Sequence, residues 1–154
     1  MDVTTETTAI EREISIAASP ETVWGFLVDP MKATRWMGQE AFFDPRPGGE
    51  YRVQVVNETA VGEFVELDPP RRLVFTWGWD PGMVVGVPPG SSTVEIDLLP
   101  EGDGTMVRFR HSGLPNAEAV QRHGHGWDHY LPRLQTAAQG GDPGRDPWLD
   151  GGMT

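Results

Sequence analysis

Apolar side chains recur at two periods along this chain, and each change of period marks a change of element. Ile10, Arg12, Ile14 and Ile16 alternate with Glu11, Glu13 and Ser15, the pattern of a half-buried strand. The spacing then shifts to three and four at Val23, Phe26 and Leu27, which predicts a helix. Ser19 is its N-cap and Pro20 its first residue, and Asp29-Pro30 stops it, because a residue before proline avoids the α region. A second short helical turn, about Met31 to Met37, carries Trp36. Alternation then returns. Phe42-Phe43 ends a short strand, and Tyr51, Val53 and Val55 alternate with Arg52 and Gln54. Thr59–Leu67 and Arg72–Trp79 follow, separated by the turn Asp68-Pro69-Pro70. Leu73, Phe75, Trp77 and Trp79 share one parity in the second of these. Val94, Ile96 and Leu98 mark another strand, and Val107, Phe109 and His111 the next, with a hairpin signal at Glu101-Gly102-Asp103-Gly104. The last periodic stretch, about Asn116 to Ala138, places Val120, Trp127, Leu131, Leu134 and Ala138 on one helical face. Pro132 lies inside it and should kink it or remove one backbone hydrogen bond.

This order reads as an α+β domain. A curved antiparallel sheet of about seven strands wraps a long C-terminal helix, with two short helices after the first strand. Residues 1–9 read as a disordered N-terminus, 10–139 as the domain, and 140–154 as a Gly/Pro-rich tail carrying the apolar pair Trp148-Leu149.

Composition narrows the function classes. The absence of Cys excludes disulfides, thiolate zinc sites and cysteine nucleophiles. A formal net charge of −11 speaks against a nucleic-acid partner and against anionic membrane surfaces. No apolar run approaches the length of a membrane span, and the polar N-terminus lacks the features of a signal peptide, so a cytoplasmic location is expected.

Several stretches form a familiar series. Ser19-Pro20-Glu21-Thr22-Val23-Trp24, Asp29-Pro30, Trp36 and Arg46-Pro47-Gly48-Gly49 come first. Gly62, Leu67-Asp68-Pro69-Pro70-Arg71-Arg72-Leu73-Val74-Phe75-Thr76-Trp77, His111-Ser112-Gly113-Leu114 and Gly126-Trp127 with Leu131 and Leu134 complete it. Together they resemble the bacterial branch of the activator of heat-shock-protein-90 ATPase homologue family, in the START-like (SRPBCC, birch-pollen-allergen-like) superfamily. The resemblance runs from about Ile10 to Ala138. It implies a helix-grip fold, with a hydrophobic cavity between sheet and C-terminal helix. The superfamily includes carriers of hydrophobic ligands, polyketide cyclases, oxygenase subunits and stress-related binding proteins, so fold alone does not choose a function.

The candidate cavity residues follow from parity and from that architecture. Leu73, Phe75, Trp77, Val94, Ile96, Val107 and Phe109 face the helix, with Trp127 and Leu131 opposite and Tyr51 on the neighbouring strand. Trp79 and Trp36, near element ends, are candidates for the mouth. His111 shares the inward parity and is either a hydrogen-bonded structural residue or a ligand contact.

Other constellations carry less. His125 and His129 stand four apart with His123 nearby, and are read as a solvated helix face rather than a metal site. Glu63, Glu66, Glu95 and Asp97 fall on the solvent side of their strands, with no spacing that argues acid and base roles. No catalytic residue, metal or cofactor is assigned. Met83, Val84, Val85 and Val87, in the proline-flanked stretch 81–90, form an apolar segment expected to pair two copies into a homodimer, with a lid over the cavity mouth as the alternative. The leading expectation is a binding protein for a small hydrophobic or aromatic molecule. A cyclase- or hydratase-like enzyme and a chaperone- or stress-associated protein-binding module are the alternatives.

Overall fold

The computed structural model describes residues 9–80 and 86–151. Its elements run β1 (Ile10–Ile16), α1 (Pro20–Val28), α2 (Pro30–Ala33), β2 (Glu40–Phe43), β3 (Glu50–Val55), β4 (Glu58–Asp68), β5 (Arg72–Trp77), β6 (Trp79–Asp80), β7 (Ser92–Glu101), β8 (Gly104–Ser112), α3 (Ala117–Ala138) and α4 (Trp148–Gly151). The strands form one curved, unclosed antiparallel sheet in the order β1-β8-β7-β5-β4-β3-β2, with β6 paired to β4. This is the helix-grip α+β fold.

Local chemistry sets the element ends. The Ser19 hydroxyl accepts the Thr22 N–H to cap α1, and the Asp29 carboxylate caps α2 by accepting the Met31 N–H. Asn116 does the same for α3 through Ala119 N–H. The second helix is shorter than its sequence suggested: Trp36 and Met37 lie in a turn after α2, both buried. Helix α3 runs unbroken through Pro132, which is exposed. There the carbonyl that proline leaves without a donor can meet water instead.

The core lies between the concave face and α3. Inward residues pair in register, Phe75 with Val94, Ile96 with Phe109 and Ile14 with Val107. The convex face carries charge: Arg72 bonds Glu66, Glu95 and Asp97, and Arg110 reaches Glu11. Three bonds clamp α3 to β1 and the segment after it. Arg12 donates to Asp128 at 2.7 Å, Gln135 to the Ser15 carbonyl at 2.6 Å, and the Ala17 N–H to Gln139 at 2.8 Å.

One strand expectation changes. The run Arg72–Trp79 breaks at Gly78, so β5 pairs with β7 while β6 turns to pair Trp79 with Ala60 on β4. Chain from the 86–90 loop crosses directly over the break: a Cβ on Gly78 would lie 1.7 Å from the Pro88 carbonyl oxygen. Among the described residues the sheet therefore has eight strands. The same crossing settles Val87, which is fully buried and accepts the Trp79 N–H on its carbonyl. Val87 is core and is not available to a second copy. Met83, Val84 and Val85 lie outside the described residues, as does all of the expected disordered stretch 1–9 except Ala9.

Gly78→Ala must displace backbone and should cost about 3 kcal/mol or more in urea unfolding. Gly48→Ala, at φ +83° with open space around it, should cost only the left-handed penalty of about 1–2 kcal/mol. Equal costs at the two sites would refute the close crossing at Gly78.

Candidate functional site

Two voids lie along α3, and they differ greatly in size. The inner one, squarely between sheet and helix, has a volume of about 10 Å³, too small for an organic ligand. Aromatic packing closes it: Tyr51 stacks on Phe75 at 4.1 Å and on Phe43 at 4.8 Å, and Phe109 meets Trp127 at 4.6 Å. The outer one is a cavity of about 400 Å³ at the end of the sheet where β5 gives way to β6. Trp77, Trp79 and Val55 supply its sheet wall, Met37 a corner, and α3 from Gln121 to Tyr130 the opposite side. Trp148, from the tail, forms a further edge, and the cavity opens to solvent past Gln121, Arg122 and His125.

The polar groups behind these walls are bonded to one another. His111 is fully buried. Its Nδ1 accepts the Trp127 indole N–H at 3.0 Å, so the proton sits on Nε2, which donates to the Ser92 hydroxyl at 2.8 Å. Ser92 in turn donates to the Trp77 carbonyl at 2.7 Å. His123 is built in the same way with the other tautomer: Nδ1–H donates to the Ala119 carbonyl, and Nε2 accepts the Trp79 indole N–H at 2.9 Å. Burial holds the His111 imidazole neutral well below its ordinary range, and neighbouring His123 adds to this. Burial also lowers His123, against the Ala119 bond, with Arg122 adding to the effect. The Trp77 indole N–H is buried without a partner among the described residues.

The tail is anchored beside the cavity by one carboxylate. Asp146 is buried and accepts from Tyr130 Oη at 2.5 Å, His129 Nε2 at 2.9 Å and the Trp148 N–H at 3.0 Å. Burial works against its ionisation, but those three bonds prevail and hold it below the ordinary carboxylate value. Arg133 adds bonds to the carbonyls of Pro143 and Gly144 while also reaching Trp36. Trp148 then lies flat on His129, ring centres 3.8 Å apart and planes within 7°, and stacks on His125 at 5.2 Å. His129 is therefore covered by an indole, while His125, at the edge of that stack, stays exposed as expected. No metal-binding cluster occurs among the described residues.

Residues 17–139 match the family described as Activator of Hsp90 ATPase homolog 1-like protein. The chain belongs to this family. An AHSA1-like protein from Rhizobium etli, solved in solution, shares 48% identity over 91% of this chain and 87% of that chain, with a TM-score of 0.70. CalU16 from Micromonospora echinospora shares 30% over 84% and 75%, with a TM-score of 0.67. An Hsp90 activator from Plasmodium falciparum, at 20% identity over 82% and 93% with a TM-score of 0.70, shares the fold. No curated protein sequence matches the chain. Among the described residues, no helix is long and apolar enough to cross a membrane.

In this family member the thirteen residues singled out from sequence fall into three places. Trp77, Trp79 and Trp127 stand in the walls of the large cavity. Trp36, Tyr51, Phe75, Ile96, Val107, Phe109 and Leu131 surround the small void, which Trp127 also borders. Leu73, Val94 and His111 border neither. Trp36 is not at the mouth, because its indole N–H is tied to the Phe26 carbonyl in the core. Sequence reasoning missed Met37, Val55, Gln121, Arg122, Gly126, Tyr130 and Trp148 as wall residues, and passed over His123 and His125 except as metal candidates. The one available signal was the apolar Trp148 in a polar tail.

Two outcomes follow from the buried bonds. His111 and His123 stay neutral in the fold while the unfolded chain protonates, so stability is complete above pH 6.5, the ordinary histidine value, and falls as pH drops below it. Melting curves taken from about pH 8 to about pH 5 should show this decline, and His123→Gln should shallow it. A flat profile would contradict the buried neutral pair. Separately, Asp146→Ala strips three donors of their acceptor and should cost about 2–3 kcal/mol. Hydrogen exchange should then rise across residues 142–151 while β7 and β8 stay protected, and uniform loss of protection would refute a locally anchored tail.

Proposed function

We propose that this chain binds a small hydrophobic or aromatic molecule in the cavity between β5–β6, α3 and the tail. The observation that carries this reading is an unfilled space of about 400 Å³ whose walls include four indoles. That volume lies within the range of small-molecule sites, and such sites are mostly apolar with few polar groups. What sets this space apart from the molecule's polar surface clefts is its aromatic, apolar lining, the character of a small-molecule site.

The site differs from the one that the fold implies in outline. The space directly under the helix is filled by Tyr51, Phe75 and Phe109, and the open volume lies to one side of it. An acid–base role for His111 finds no support, because both of its ring nitrogens are engaged inside the core and it borders neither void.

Gly126 provides the direct test. It lines the cavity, and a Cβ placed there meets no atom within 4 Å. Gly126→Leu should obstruct the space while favouring the helix by somewhat under about 1 kcal/mol. An uncharged naphthalene fluorophore such as prodan should quench tryptophan emission and raise the melting temperature of the wild type, and do neither in the variant. Equal binding by both proteins would place the ligand elsewhere, and no response to a broad panel of uncharged aromatics would remove the proposal.

A further inference from the structure

The polar groups around the cavity divide into two classes. His123 and Tyr130 have committed theirs inside the fold, to Trp79, Ala119 and Asp146. Asp146 itself stands behind Tyr130 and His129 with both carboxylate oxygens occupied, and no carboxylate among the described residues lines the cavity. Gln121, Arg122 and His125 differ. They lie on the exposed side of α3 at the rim, and none of their side chains hydrogen-bonds another described residue. Arg122 meets only Glu118, at a loose 3.8 Å with both side chains more than half exposed.

A molecule filling this space therefore meets indole faces along its body and, at its outer end, a solvent-exposed guanidinium only loosely paired with Glu118. The chain as a whole is strongly acidic. At physiological salt, however, charges beyond about 8 Å are largely screened, so a group at the rim senses Arg122 before it senses the net charge. A guanidinium offers a carboxylate two parallel N–H donors, a geometry that neither an amide nor a cation can use as well.

We infer that the ligand of this cavity is an aromatic anion, with a flat ring system among the indoles and a carboxylate or similar acidic group at the rim against Arg122. The inference rests on the reading of the cavity as a ligand site. Gln121 adds a neutral donor beside the same position. Glu118 acts as an internal competitor, because its carboxylate holds the charge that the ligand would use.

Three probes on one ring system separate charge from shape: anthracene carboxylate, anthracene carboxamide and an anthracene trimethylammonium salt. Calorimetric titration of the full chain should rank the carboxylate about threefold to fivefold tighter than the amide, with the ammonium weakest. Arg122→Gln should bring carboxylate and amide within about twofold of each other while leaving amide affinity unchanged. Glu118→Gln should widen the carboxylate preference, and raised salt should narrow it. An amide or ammonium that binds as tightly as the carboxylate, or a preference that survives Arg122→Gln, overturns the inference while leaving the ligand site standing. Absence of binding by every probe, whatever its charge, fails the ligand-site reading and this inference together.

Discussion

A helix pressed onto the concave face of a sheet can slide unless something directional fixes it, since apolar contact has no preferred register. Here the fixing bond is the Trp127 indole N–H donated to His111 Nδ1 in the middle of the core. The bond determines the His111 tautomer, which directs the Nε2 proton to Ser92 and the Ser92 proton to the Trp77 carbonyl. One helix residue thus locks three strands, β8, β7 and β5, into a single arrangement. In a region of low dielectric an unmatched member of such a chain is costly, so the helix has one good position and few neighbours to it.

The open volume follows from where the large side chains stop. Over the middle of the sheet Phe43, Tyr51, Phe64 and Phe75 pack ring against ring and leave almost nothing empty. Beyond Trp77 the sheet changes course at Gly78, and the facing stretch of α3 carries Gly126 in place of a side chain. Sheet and helix diverge there with little to fill the gap. The His123–Trp79 bond then holds the wall open in a fixed shape, because each ring is anchored through its polar atom.

Much of this architecture is legible in the amino-acid order. Period-two runs such as Val94, Ile96, Leu98 and caps such as Ser19-Pro20 depend on local chemistry, and local chemistry is written locally. The break at Gly78 was not legible, since its cause is the backbone of Pro88, ten residues on and brought across by the loop. Inward parity likewise identified Phe75, Ile96 and Phe109 as facing the helix, yet parity cannot say whether a facing pair touches or leaves room. That depends on summed volume across the layer. His129 read as solvated, like the exposed His125, because the indole that covers it lies nineteen residues further on, across a stretch with no periodicity at all.

The family match ends at residue 139, and Trp148 lies beyond it. Most walls of the cavity are therefore also beams of the building: Trp77, Trp79 and Trp127 cannot change without disturbing the sheet, the helix or the bonds between them. Trp148 carries no such duty. It packs against the edge of the core and is held there by the Asp146 carboxylate, so its replacement alters one side of the cavity while the sheet's own bonds stay in place. Descendants of this chain can try new shapes there by editing Trp148 and its exposed neighbours, on which no strand depends, so long as Asp146 is kept.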